Sequence, residues 1–333
     1  MKIGYLPYTK DFSEPGDRRR LKWFIEEKKL DFEIADLNKK YDLIYVVYGN
    51  NLSELLIYKN KYPKTRIIFE FLDSYLEEKN IFRIYARGIV RFLLRKEKKF
   101  YINYTSFLKQ FIRKSDLVVC GNESQKKIIL KLNKNVKISI DYIEVDFPRR
   151  KKEFTTKRDK LNLFWEGKIY SLKHLRILND LSKKLKDRIH VHILTDLEKW
   201  IIPNFYSLKA KKISKSFKFN FTIYQWTKED VNKISNICDL GIIPLFKSDK
   251  VAYHKPENKL ILIWLLGLPA ITSDTPSYKK AMKSLNNKRL CKNSLDWETN
   301  LKKFIESSNN DIREDLKDIE KKLKKDYGKE KYL

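Results

Sequence analysis

Between residues 239 and 278 the chain reads DLGIIPLFKSDKVAYHKPENKLILIWLLGLPAITSDTPSY. An apolar run ends at Pro244, a polar loop follows, and Lys255-Pro256-Glu257-Asn258-Lys259 opens a helix. Pro256 suits a first helical turn, where the N–H it lacks would have no partner. Gly267 suits the helix end, and Pro269 stops the helix from continuing. Free N–H groups and about half a positive charge gather at a helix start, which makes it a place for an anion. Lys255 and Lys259 add full charges there, and Asn258 adds donors. The chemistry that fits is the binding of a diphosphate. A solvated helix start is the plainer reading in a chain with 56 lysines and 16 arginines. A second stretch, Leu163-Phe164-Trp165-Glu166-Gly167-Lys168-Ile169 running on to Lys173-His174, sets a glycine and two cations after an apolar strand. A glycine there allows close backbone approach, and two cations within a turn can bracket a pyrophosphate.

Together the two stretches resemble the donor-binding region of nucleotide-sugar glycosyltransferases with the two-Rossmann GT-B fold. Asp239 and Pro244 match the family's Asp-x-x-x-x-Pro strand end. Asn258, Lys259, Leu260, Gly267, Pro269 and Ile271 match its helix and following strand, and Ser273, Pro276 and Tyr278 its Ser/Pro loop. The stretch from Gly167 is similar to Gly-Arg-Leu-x-x-x-Lys-Gly, with Lys168 in the Arg place and Lys173 in the Lys place. The resemblance implies a donor diphosphate held by Gly167, Lys168, Lys173, Lys255, Asn258 and Lys259. It implies His254, Glu257 and Tyr224 in the vicinity of the donor sugar and nucleotide. It also implies no cofactor, because the nucleotide-sugar is a substrate. Where many retaining members carry Glu-x7-Glu, this chain has His254 and Leu262. Lysine at 168 gives up the bidentate fork of arginine.

The first half should then supply the acceptor site and a base. After the first apolar strand comes YTKDFSEPGDRRR, residues 8–20. Gly16 and Arg18 fit an acceptor loop, and three arginines at a helix start fit an acidic acceptor or the donor phosphate. A plain N-cap at Asp17 with solvated arginines fits equally well. Inverting transfer needs a group that removes the acceptor hydroxyl proton. Asp73, just past a strand end, is the first candidate base and Asp17 the second. His190 and His192 share one face of an expected strand, where burial or solvent contact explains them better than a metal.

These residues need elements to hold them. Ten apolar runs read as strands: Lys2–Pro7, Leu43–Tyr48, Arg66–Leu72, Leu117–Cys120, Val136–Ile140, Leu161–Trp165, Ile189–Leu194, Phe219–Tyr224, Leu240–Pro244 and Ala270–Ser273. Amphipathic stretches alternate with them, which argues parallel sheets covered on both faces. The expected fold is α/β, with two Rossmann-like doubly wound domains facing a cleft. Residues 1–147 form the acceptor domain, 148–160 a linker, 161–310 the nucleotide-sugar domain and 311–333 a charged helix.

Length and charge bound the rest. The 333 residues exceed one ordinary core. A net charge of +29 favours polyanionic partners. Cys120, Cys238 and Cys291 are too scattered for a disulfide framework or a cysteine zinc site. No Asp-x-Asp occurs, which argues against metal-dependent, single-Rossmann transferases, and no P-loop motif occurs. No apolar run reaches membrane-spanning length and the start is no signal peptide, so a cytoplasmic location is expected, with peripheral contact at the inner face of the membrane. Arg83, Arg87, Arg91 and Arg95 recur every four residues among aromatics and leucines. That spacing predicts an interfacial helix on anionic lipid, or else a core helix whose arginines reach water. The reading is a metal-independent glycosyltransferase, of hexosyltransferase type, using a nucleotide-sugar donor and a saccharide or lipid-linked acceptor in bacterial surface polysaccharide synthesis. The alternatives are a non-catalytic relative of the same fold and a basic nucleic-acid-binding protein; no recognition motif supports nucleic acid as a partner.

Overall fold

The structure is a computed structural model and describes residues 1–72, 75–78, 80–150, 152, 160–202, 206–286 and 288–332. By its contacts the chain forms two compact units. The first is Met1–Val145 with Lys250–Pro256 and Tyr332; the second is Asp146–Asp249 with Glu257–Lys331. Most of the expected linker lies outside the described residues.

The first unit is built on β1 (Ile3–Leu6), β2 (Glu33–Ile34), β3 (Leu43–Val47), β4 (Arg66–Glu70), β5 (Leu117–Cys120) and β6 (Val136–Ile138). They form one parallel sheet in the order β2-β1-β3-β4-β5-β6. Runs such as Ile44–Val47 are buried, as central parallel strands require. Ile44, Val46, Phe69, Leu108, Phe111 and Val118 anchor the main core.

The second unit contains β7 (Leu161–Glu166), β8 (Ile189–Thr195), a hairpin of β9 (Glu198–Ile202) and β10 (Tyr206–Lys209), β11 (Asn220–Gln225), β12 (Leu240–Ile243), β13 (Ala270–Ser273) and β14 (Leu290–Cys291). Its parallel sheet runs β11-β8-β7-β12-β13-β14. All ten expected strands form. The short edge strands β2 and β14 and the β9–β10 hairpin were not expected. Two-residue strands carry too little periodicity to be seen in sequence.

Helix expectations fare less evenly. The amphipathic stretch over Leu172–Leu185, which reads as one helix in the sequence, is a 3₁₀ segment, Ile169–Asp180, followed by a short α-helix, Lys183–Asp187. The stretch Ile81–Ile112 is broken, as its length suggests, into helices Ile81–Leu93 and Tyr104–Lys114. The tail, expected as a charged helix, folds as a helix, Asn309–Tyr327, that starts on a Ser308–Asp311 capping box and buries Ile312, Ile319 and Leu323. All three cysteines are free and buried; burial pushes the Cys120 thiol up to about 11 and the Cys291 thiol to about 12.

Candidate functional site

In each sheet the strand order reverses once, and ligands of open α/β sheets bind at such switch points beyond the carboxyl ends of the strands. In the second unit the switch lies between β7 and β12. Gly167 ends β7 there. A Cβ at Gly167 would come within 2.4 Å of Lys259 Nζ, so the glycine makes room for that ammonium. Lys259 donates to the Glu166 carbonyl at 2.5 Å, stands 3.9 Å from the Glu166 carboxylate, and lies 4.9 Å from the centre of the Trp165 ring. Trp226 Nε1 donates to the other Glu166 oxygen at 3.2 Å, which fixes the carboxylate. Lys259 stands in the first turn of helix Asn258–Leu265, whose residues from Leu260 on are buried. Beside it, Asn258 Oδ1 is buried and meets no donor among the described residues. With the amide turned over, that position offers an N–H to an anion.

The loop after β12 is held just as firmly. Ser273 Oγ accepts from Leu245 N–H at 2.8 Å and donates to the Leu245 carbonyl at 3.1 Å. The buried His174 accepts from Phe246 N–H at 3.1 Å through Nδ1. Its Nε2 lies 3.5 Å from Asp249, which also pairs with Lys173 at 2.7 Å. Lys173 is therefore neutralised by a carboxylate, while Lys168 is exposed.

The other expected donor residues have partners of their own. Glu257 is buried and accepts from Tyr327 O–H at 3.1 Å; burial pushes its carboxyl up. Tyr224 lies on β11 with its hydroxyl 3.1 Å from His192 Nδ1. His192 Nε2 is 3.2 Å from Asn162 Oδ1, so the neutral imidazole finds one donor and one acceptor. Burial, with His190 beside it, pulls His192 down to about 4. His254 and Lys255 belong to the segment that packs within the first unit. There the His254 carbonyl accepts from Asn122 Nδ2 at 2.7 Å, and its Nε2 lies 3.6 Å from Glu77. Burial lowers the His254 imidazole and raises the Glu77 carboxyl, so both lean toward their neutral forms.

In the first unit the switch lies between β1 and β3. Asn50 stitches it: one Nδ2 donates to the carbonyls of Leu6, Pro7 and Val47 at 2.9–3.0 Å. Asp17 is fully buried and accepts from the N–H groups of Tyr8 and Thr9 at 2.7 and 2.9 Å, the Thr9 hydroxyl at 3.0 Å and the Tyr5 hydroxyl at 3.4 Å. These bonds shape the loop. Arg18 donates to the carbonyls of Phe12 and Ser13. Arg20 is enclosed in a buried network: Nε donates to Glu70 at 2.8 Å, Nη1 reaches Asp141, and Tyr45 O–H donates to Glu70 at 2.7 Å. Burial pulls the guanidinium down, but Glu70 and Asp141 outweigh it and raise it overall. Gly16 leaves room for this guanidinium, since a Cβ would meet Nη2 at 2.3 Å. Asp73 lies outside the described residues. Glu166, Trp226, Asn50 and the Arg20 network were missed in sequence, because each depends on a partner at least 40 residues away.

No protein-family model matches the chain, and no curated protein matches it in sequence. Solved structures do match its fold. Anabaena HepE in complex with UDP and glucose superposes with TM-score 0.57 at 10% identity, covering 97% of this chain and 93% of that one. The chain has the GT-B fold. Sucrose-phosphate synthase from Thermosynechococcus elongatus matches with TM-score 0.55 at 9% identity, over 88% of this chain and 71% of that one. TarM of S. aureus, in complex with Fondaparinux, alpha-GlcNAc-glycerol and UDP, matches at 0.54 and 10% identity, and this chain spans about half of its length. In the GT-B frame, Gly167 and Lys259 stand at the switch point of the C-terminal sheet and Asn50 and Asp17 at that of the N-terminal sheet. No helix among the described residues is long and apolar enough to cross a membrane.

Proposed function

We propose that this chain transfers a sugar from a nucleotide-sugar donor to a saccharide or lipid-linked acceptor, in bacterial surface polysaccharide synthesis, on the cytoplasmic face of a membrane. The observation that carries the reading is the Gly167–Lys259 cradle at the β7 switch point, with Lys259 oriented by the Glu166 carbonyl and the buried Asn258 amide beside it. The solved neighbour HepE is described with UDP and glucose, which supports UDP as the first nucleotide to try. The donor diphosphate takes Lys259, Asn258 and the exposed Lys168. Lys173 joins only if its pairing with Asp249 opens. These cations stabilise the leaving diphosphate as the glycosidic bond breaks, the task a metal performs in other transferases. Asp73, three residues beyond the end of β4, is the proposed base.

Calorimetry with UDP, UDP-sugars and other nucleotide-sugars tests the donor site, and a labelled-donor panel with product detection tests turnover. A chain that binds none of them refutes the reading. The buried Leu262, in the place of a family carboxylate, favours one rival, a binding protein without turnover. Donor binding with no product on any acceptor selects that rival.

A further inference from the structure

Helix Ile81–Leu93 is inside out for a soluble protein. Of the four arginines expected to share one outward row, Arg83 and Arg95 are exposed, but Arg87 and Arg91 are not. Arg91 is buried: it bonds Glu97 at 2.9 Å and the Asn50 carbonyl at 2.8 Å. Arg87 lies over the Tyr75 ring at 4.0 Å. Gly88 brings the helix so close that a Cβ would lie 2.0 Å from the Tyr101 carbonyl. This inner face is held by Arg91, by the ring contact of Arg87 and by the close approach at Gly88, and the opposite face is apolar and bare. Phe82 is 84% exposed, Leu93 73%, Ile102 65% and Ile81 61%. Tyr85, Ile89 and Phe100 join the same outer surface. Contiguous apolar surface of this kind marks an interaction site in a soluble protein.

The charge around it identifies the occupant. Arg83, Arg95, Lys96 and Lys99 are exposed along the helix and the loop after it. Glu97 is the only carboxylate between residues 80 and 102, and it is buried against Arg91. The apolar face is thus bordered by cations. A second copy of the chain would bring like charges together, whereas an anionic bilayer answers the cations with phosphates and the apolar side chains with acyl chains. We propose that this face lies in the surface of an anionic membrane, with Phe82, Leu93 and Ile102 entering the lipid and Arg91 fixing the helix to the protein. The inference shares with the sugar-transfer reading only its membrane location, and it is tested without donor or acceptor.

The test is sedimentation of the full chain with vesicles of phosphatidylglycerol and phosphatidylcholine, against pure phosphatidylcholine. Binding to the anionic vesicles is expected, and part of it should survive about 0.5 M salt, because salt screens the cations but not apolar insertion. The Phe82→Asp/Leu93→Asp variant should lose binding by roughly tenfold or more with an unchanged melting temperature. Lys321→Gln/Lys324→Gln, which removes two exposed tail cations, should lose less than about twofold. Equal losses in the two variants, or wild-type binding in the first, overturn the proposal. So does a dimer, seen by sedimentation equilibrium, that Phe82→Asp/Leu93→Asp dissolves while vesicle binding is absent.

Discussion

Adding one methyl group at Gly167 tests whether Lys259 is placed for an anion. In Gly167→Ala the new Cβ would lie 2.4 Å from Lys259 Nζ and 3.1 Å from the Trp165 ring. Ordinary contact begins near 3.4 Å, so the ammonium must retreat by about 1 Å. Its 2.5 Å bond to the Glu166 carbonyl then stretches beyond hydrogen-bond range. The obstructing atom is the end of a flexible side chain, so the fold should yield cheaply and the melting temperature should fall by only about 2–4 °C. The diphosphate, by contrast, loses a charge-assisted bond of about 1.5–3 kcal/mol. Calorimetry should therefore show UDP binding weakened roughly 10- to 100-fold. Lys259→Met should lose as much, and the double variant no more than either alone, because both act on one ammonium. Wild-type UDP affinity in Gly167→Ala, with a normal melt, would show that the anion does not meet Lys259 and would sink the donor-site assignment.

Three further outcomes are expected. Arg20→Met should cost about 3–5 kcal/mol in urea unfolding, because it leaves the buried Glu70 carboxylate without its cation and Asp141 with only Arg19, 4.0 Å away. His192 is held neutral in the fold, with its value lowered to about 4 from an ordinary 6.5, so the unfolded chain takes up its proton first. Its stabilisation is present above about pH 6.5 and is lost as pH falls toward 4; His192→Gln should flatten this acid limb by about 1–2 kcal/mol, a figure reduced for solvent screening. Because the proposed diphosphate site offers lysines and not an Asp-x-Asp motif, transfer should survive EDTA; activity abolished by chelation and restored by Mn²⁺ would contradict the role proposed for Lys259.

The central strands were legible because buried parallel strands are written as apolar runs bounded by polar turns, as in Leu161–Glu166 and Leu240–Ile243. The Gly167 and Lys259 stretches were legible as well, since each carries its own punctuation of glycine, proline and charge. What sequence concealed was the direction in which charge points. Arg18, Arg20 and Arg91 read as a reservoir of outward cations, yet each is consumed internally, by carbonyls or by carboxylates such as Glu70, Asp141 and Glu97. Local spacing places a side chain on a stripe of a helix, but only the packing of distant segments decides which stripe faces water. The same holds for Lys173: its neighbours in sequence give no sign of Asp249.

The division of the chain bears on how such proteins recombine. The backbone passes between the two units after residues 145, 249, 256 and 331. A chimera made by a single cut after Val145 would strip the N-terminal unit of Lys250–Pro256 and Tyr332. It would lose the cover that Pro256 gives Gly121, where an added Cβ would touch the ring at 3.0 Å, and the carbonyl that caps the Asn122 amide. It would also lose Tyr332, whose ring packs on Trp23 and Tyr142 and whose hydroxyl donates to the Asp141 carbonyl. The N-terminal unit is thus inherited in three pieces of sequence. An exchange that transplants it intact must carry a seven-residue insert and the extreme tail along with the N-terminal half.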